Sequence, residues 1–175
     1  QHQHSCIEFM YVLSGSVTNH VGNQIFTYEA GQCCIMNKNI RHCEDFSGDF
    51  QAVFLMLQDD FTKELLTDYE EIQKNTKQPE EENLIFQLIA DEQNETLQFD
   101  KIYLDCFPLI PADDILERLS SLFNALVLET INWDFGSSFL AKAIFTRLLR
   151  LLGDSSMFSI NRIHSHSQGQ EFLFN

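Results

Sequence analysis

The chain has 175 residues, 44% of them hydrophobic, and carries 26 acidic against 11 basic residues, for a formal charge of -15. That length suits one domain with a real core, or a compact domain with an appended helical piece, rather than two full domains. The composition excludes a disordered chain, the apolar runs are too short to span a membrane, and the acidic balance excludes a surface that by itself grips a phosphate backbone.

The opening stretch, QHQHSCIEFMYVLSG, places His2, His4 and Glu8 at positions of equal parity. Side chains alternate along a strand, so all three share one face, and two imidazoles beside a carboxylate have the character of metal ligands. Met10 continues the same parity, where core filling is its ordinary role. Strand signals then follow closely between residues 6 and 57: CIEFMYVL, VTNHV, QIFTY, CCIMN and QAVFLML. Ser14-Gly15, Gly22-Asn23 and Glu29-Ala30-Gly31 punctuate them as antiparallel turns, which predicts a sandwich or a small barrel. QAVFLML carries no charge and reads as a core strand. Of the neighbours Asn19 and His20 one faces inward, with His20 assigned to solvent. Cys33 and Cys34 face opposite sides, and five cysteines without a repeated spacing read as reduced cytosolic thiols rather than a disulfide framework.

From Asp59 the period becomes helical. DDFTKELLTDYEEI brings Phe61, Leu65, Tyr69 and Ile72 to one face, and ENLIFQLIADE continues the pattern. The run DYEEIQKNTKQPEEEN reads as solvated surface and loop. LQFDKIYLDCFPL looks extended, and Pro108 and Pro111 end it before a helix that opens on Asp113 and Asp114 and carries Ile115, Leu119, Leu122 and Leu126. The last strong helix, SSFLAKAIFTRLLRLLGD, has Ser137 or Ser138 as its cap, Arg147 and Arg150 near its end and Gly153 as its stop. Leu140, Ile144, Leu148 and Leu151 line one side, and Phe139, Phe145, Leu149 and Leu152 widen the apolar surface enough for two packing partners. Trp133, in the intervening loop, is assigned to structural packing. After Asp154 the composition turns polar; His164 and His166 fall in what reads as a linker, ending in the apolar Phe172, Leu173 and Phe174.

No Gly-rich phosphate loop, serine nucleophile elbow or helical His-Glu-x-x-His motif is present, so the opening histidines are the main chemical signal. His2, His4, Glu8 and Gly15 fill the pattern His-x-His-x3-Glu-x6-Gly, which resembles the first motif of the cupin superfamily. GQCCIMNKNIRHCEDF resembles the second: Gly31 and His42 match, whereas Asn37, Asn39 and Phe46 stand where the motif has Pro, Gly and Asn. EFMYVLSG, KIYLDCFPL and the FLAKAIFTRLLRLL helix extend the resemblance over nearly the whole chain, to the N-terminal sensor half of AraC-type transcription regulators.

That resemblance implies an α+β protein: a cupin-like antiparallel β-barrel, a small double-stranded β-helix, at residues 1–57 with further strands upstream of Gln1. A helical layer at 58–154 would pack on the barrel and dimerise, and 155–175 would link to a C-terminal helix-turn-helix DNA-binding domain outside this chain. The expected function is sensing of a small-molecule effector, a sugar or related metabolite, in the cytoplasm, with no membrane partner and no catalysis. The expected ligand-binding residues are His2, His4, Glu8, Met10 and His42. Two readings of the polar four stay open: His2, His4, Glu8 and His42 hold a divalent transition metal, or they orient a hydroxylated ligand without one. A metal-dependent cupin enzyme, an oxygenase or sugar isomerase, is the alternative to a regulator.

Overall fold

The computed structural model describes residues 1–75, 83–93, 101–109 and 112–165. Six strands come first: β1 (Ile7–Ser14), β2 (Ser16–Val21), β3 (Gln24–Glu29), β4 (Cys33–Met36), β5 (His42–Phe46) and β6 (Gln51–Leu57). The helices α1 (Asp59–Asn75) and α2 (Leu84–Gln93) follow, then β7 (Lys101–Pro108), α3 (Ala112–Ile131), α4 (Ser137–Leu152) and β8 (Phe158–Ser165). The protein is thus an α+β fold with antiparallel sheets.

The strands form a five-stranded sheet in the order β6-β1-β4-β7-β8 and a three-stranded sheet in the order β3-β2-β5. β1 runs inside the larger sheet, hydrogen-bonded to β4 on one side and β6 on the other. Its alternation divides the core. Ile7, Phe9 and Tyr11 enter a large apolar cluster with Leu65, Ile85, Phe86, Phe123 and Phe145 of the helices. Met10 and Val12 enter a second cluster with Val17, Val21 and Tyr28 of the smaller sheet. The result is three layers: helices, large sheet, small sheet. Cys33 and Cys34 obey the same rule, one in each cluster, and all five cysteines are free thiols.

Several expectations are corrected here. Among the described residues the strands do not close into a barrel; they form two separate sheets. β7 falls on the extended-looking segment LQFDKIYLDCFPL, and β8 on part of the expected linker; the two pair along their whole length and extend the sheet begun by β1. One sheet thus takes strands from both sides of residue 57. Residues 166–175, with His166 and the Phe172 to Phe174 run, lie outside the described residues, as do 76–82 of the acidic loop. β6 is an edge strand rather than a core strand, and Phe54 and Met56 are each 40% exposed. β5 was not anticipated because HCEDF has too few apolar residues to show alternation.

On α3, Ile115, Leu119 and Leu126 are buried as expected, joined by Phe123, with Leu122 only partly buried. On α4 the buried set is Ala141, Phe145, Leu148, Leu149 and Leu152, whereas Phe139 and Leu140 are exposed. Gly136, not a serine, caps α4, and Ser137 is turned inward to bond Asp134. Trp133 is 65% exposed and lines a groove with Phe54, Met56 and Leu126, so it is no buried packing residue.

The β1–β2 turn depends on Gly15, at φ 67°, where a Cβ would lie 2.5 Å from Ser47 Oγ and 2.8 Å from the Phe50 nitrogen. Gly22 has a similar φ of 60° but nothing within 4 Å. Gly15→Ala should therefore cost about 2 kcal/mol or more and Gly22→Ala about 1 kcal/mol, since only the first adds overlap to left-handed strain. Equal losses in urea unfolding would refute the part assigned to the close approach.

Candidate functional site

The polar residues singled out by parity meet at one end of the space between the sheets. The segment before β1 is tied to the turn before β5 by backbone bonds: His2 and His42 exchange N–H···O contacts of 2.9 and 3.0 Å, and Asn39 N–H donates to the His4 carbonyl at 2.8 Å. Asn39 has a φ of 61°, a left-handed value that asparagine tolerates, and so serves where the second motif has glycine. These ties place the three imidazoles together, with ring centroids 4.2 Å apart for His2 and His42, 5.0 Å for His2 and His4 and 5.7 Å for His4 and His42.

Two carboxylates complete the cluster. His4 Nε2 lies 2.9 Å from Glu8 Oε2, and His42 Nε2 lies 3.7 Å from the same oxygen. Glu44 Oε1 lies 3.2 Å from His42 Nε2 and 3.4 Å from His2 Nε2. Exposure is graded: the side chains of Glu8 and His42 are 3% and 2% accessible, while His2 and His4 reach 46% and 32%. The buried pair forms a floor and the outer histidines a mouth.

Glu8 Oε2 and His42 Nε2 are buried and make no well-aligned hydrogen bond; their polar neighbours are the ion-pair contacts of the cluster itself. His42 Nδ1 lies 2.9 Å from the Ile40 carbonyl, so Nδ1–H donates there and Nε2 presents its lone pair to the cluster. An imidazole pinned by a backbone carbonyl is the arrangement that orients metal-ligating histidines. His2, His4 and His42 bring ligand atoms within 4.8 Å of one another, and so do Glu8, His42 and Glu44. The residues present therefore fit a divalent transition metal, with nitrogen and carboxylate donors of the kind such ions take.

Of the five expected residues, four converge here. Met10 shares the Glu8 face but is packed in the apolar cluster between the sheets. Glu44 was missed, and Asn19, left inward once His20 was assigned to solvent, was not counted with the site. Glu44 shares the parity of His42 on β5, a signal that was available once β5 was placed. Asn19 stands opposite Glu44 across β2 and β5 and is buried, with both amide atoms lacking partners. His20 faces outward onto Asp45 at 2.8 Å, as its assignment to solvent required. Further along the same interlayer space, Tyr28 OH donates to Asp105 Oδ1 at 2.5 Å and joins the two sheets through a buried polar contact.

A model of the ExsA N-terminal regulatory domain matches residues 8–99, more than half of the chain. The chain belongs to the ExsA N-terminal regulatory domain family. It is thus the N-terminal regulatory domain of an AraC-type regulator. A crystal structure of an apo ToxT variant from Vibrio cholerae is similar at 14% identity with a TM-score of 0.49, over 83% of this chain and 46% of that one. The chain thus spans about half the length of ToxT. No curated protein matches it. The ExsA-type match begins at Glu8, so it covers Glu8, Asn19, His42 and Glu44 but neither outer histidine. No helix among the described residues is long and apolar enough to cross a membrane.

Burial, and then repulsion from Glu44, pushes the Glu8 carboxyl up from 4.5 to about 7. Between those values the folded chain binds more protons than the unfolded one, so the Glu8 contribution to stability falls as pH rises through the window. Burial lowers His42, which works in the opposite sense: its contribution is lost as pH falls below the ordinary imidazole range. Glu8→Gln removes only the first effect. With a chelator present, its stability relative to the parent should rise between pH 4.5 and 8 by on the order of 3 kcal/mol in urea unfolding. A pH-independent difference would show that Glu8 does not sit in a charge-excluding environment.

Proposed function

We propose that this regulatory domain senses a small-molecule effector at the His2, His4, Glu8, His42 and Glu44 cluster and passes the signal to a helix-turn-helix DNA reader outside the chain. The observation that carries the reading is the buried pair Glu8 Oε2 and His42 Nε2, which make no well-aligned hydrogen bond, beneath an exposed histidine mouth. Buried groups without such bonds cost free energy that a ligand's own polar atoms would recover. Two sheets facing each other across the motif residues support an open, cupin-type barrel. Regulation, not catalysis as a metal-dependent oxygenase or isomerase, is the reading that family membership supports, and a DNA-linked sensor with free thiols works in the cytoplasm. In the complete regulator, His42→Gln should abolish the effector-dependent change in reporter transcription while leaving the circular dichroism spectrum intact. A normal response in that variant would sink the assignment of the site.

The pinned His42 ring favours one specific occupant, a divalent transition metal held by His2, His4, His42 and Glu8. Bound there, it would supply a Lewis-acidic centre with positions left for a hydroxylated effector. Zinc should bind the chelator-treated chain at one per chain in calorimetry and lose at least tenfold in affinity on His42→Gln. No heat above the control would remove the metal from the reading.

The helical layer supports a homodimer. Ile131, Phe135, Phe139 and Leu140 are all more than half exposed, from the end of α3 through the following turn to the start of α4, a concentration of apolar surface that suits an interface. Phe139 and Leu140 lie outside the monomer core, so changing both to Asp should leave the fold intact and shift the chain to a monomer in light scattering. A dimer that persists would place the contact elsewhere.

A further inference from the structure

We propose that Asn19 and Glu44 form an inner subsite that makes this site selective for a cationic effector, a small amine carrying an adjacent hydroxyl. The inference rests on the reading of the cluster as the effector site and names the chemistry of what enters it. Asn19 is 1% exposed and lies on the inward face of β2 with Val17 and Val21. Its register partner on β5 is Glu44, and directly opposed residues of an antiparallel pair stand side by side on one face. Both Asn19 Nδ2 and Oδ1 lack partners.

The requirements of these atoms define the ligand. The Glu44 carboxylate and Asn19 Oδ1 accept, and Asn19 Nδ2 donates. An ammonium satisfies the two acceptors and a neighbouring hydroxyl oxygen takes the amide proton. Charge points the same way: the cluster holds two carboxylates, while Lys38 is engaged with Asp59 and Arg41 donates to Gln3. An anion would meet the Glu44 carboxylate, whose neighbouring cations are imidazoles and only when protonated, whereas an ammonium gains charge-assisted bonds to Glu44 and Asn19 Oδ1.

The test uses three probes of nearly equal size, ethanolamine, ethylene glycol and glycolate, titrated into the chelator-treated, isotope-labelled chain. The Asn19 side-chain amide and the His2 and His4 ring signals are followed by NMR, with Asn19→Leu identifying the amide. Ethanolamine should move the amide and the imidazoles together, roughly tenfold more tightly than ethylene glycol, because a bond to a charged group exceeds a neutral one by about 1.4 kcal/mol. Glycolate should move neither. Imidazole shifts with a silent Asn19 amide would overturn the inner subsite and leave the effector site standing. A response to glycolate equal to that of ethanolamine would overturn the charge selectivity, and silence of every signal would overturn both.

Discussion

The structure depends on one constraint: β1 is buried on both faces. Pairing on each side closes only the edges of β1; both of its faces are buried as well, so its two parities must each find a dry partner layer. Ile7, Phe9 and Tyr11 find the helices, with Phe9 5.8 Å from Phe123 and Tyr11 stacked on the same ring at 4.5 Å. Met10 and Val12 find the smaller sheet. Glu8 has the parity of the second group, so the pleat that completes the core also forces a carboxylate into it. A charged group buried there is costly unless paired, and it responds by holding its proton to higher pH.

The interlayer space is accordingly a mixed one. Its apolar centre is closed by Tyr28, Cys34 and Met36, and one polar contact within it is satisfied internally, since Tyr28 donates to Asp105. Glu8 Oε2, His42 Nε2 and the Asn19 amide make no such bond. That contrast separates a structural tie from the candidate site: burial is common to both, whereas only the second keeps hydrogen-bonding capacity unused.

What could be read from the sequence follows from the range of each signal. The alternation of His2, His4 and Glu8 is local, and it placed three residues of the site and the inward Met10 without any knowledge of the sheets. The tight turns at Gly15, Gly22 and Gly31 are local too, and all three glycines take positive φ. The edge position of β6, the return of β8 and the separation of the strands into two sheets are pairings between residues far apart, which no short window carries. β8 was hidden further by composition, because FSINRIHS sits in a stretch dominated by Ser, His and Asn. Glu44 is intermediate: its parity with His42 was visible, but HCEDF does not announce a strand. Trp133 shows the reverse error, since a large aromatic residue is buried on average yet here lines an open groove.

The same two-faced strand connects the site to the helices. Glu8 is bonded in sequence to Ile7 and Phe9, and Phe9 lies 6.2 Å from Phe145 of α4, which also meets Phe61 of α1 at 5.6 Å. Adjacency does not by itself transmit a signal; a ligand shifts an equilibrium only by the difference in its affinity for the two states. The close-packed aromatic contacts make such a difference available, because a displacement of β1 large enough to reposition Glu8 must also repack Phe9 against Phe123 and Phe145. An effector that bonds Glu8 and His42 equally well in both positions of β1 would fill the site and leave the helices where they were. Regulation through the proposed site would therefore require a ligand whose contacts span the cluster, from the buried floor to the histidines at the mouth, so that a shift of one strand breaks some of them.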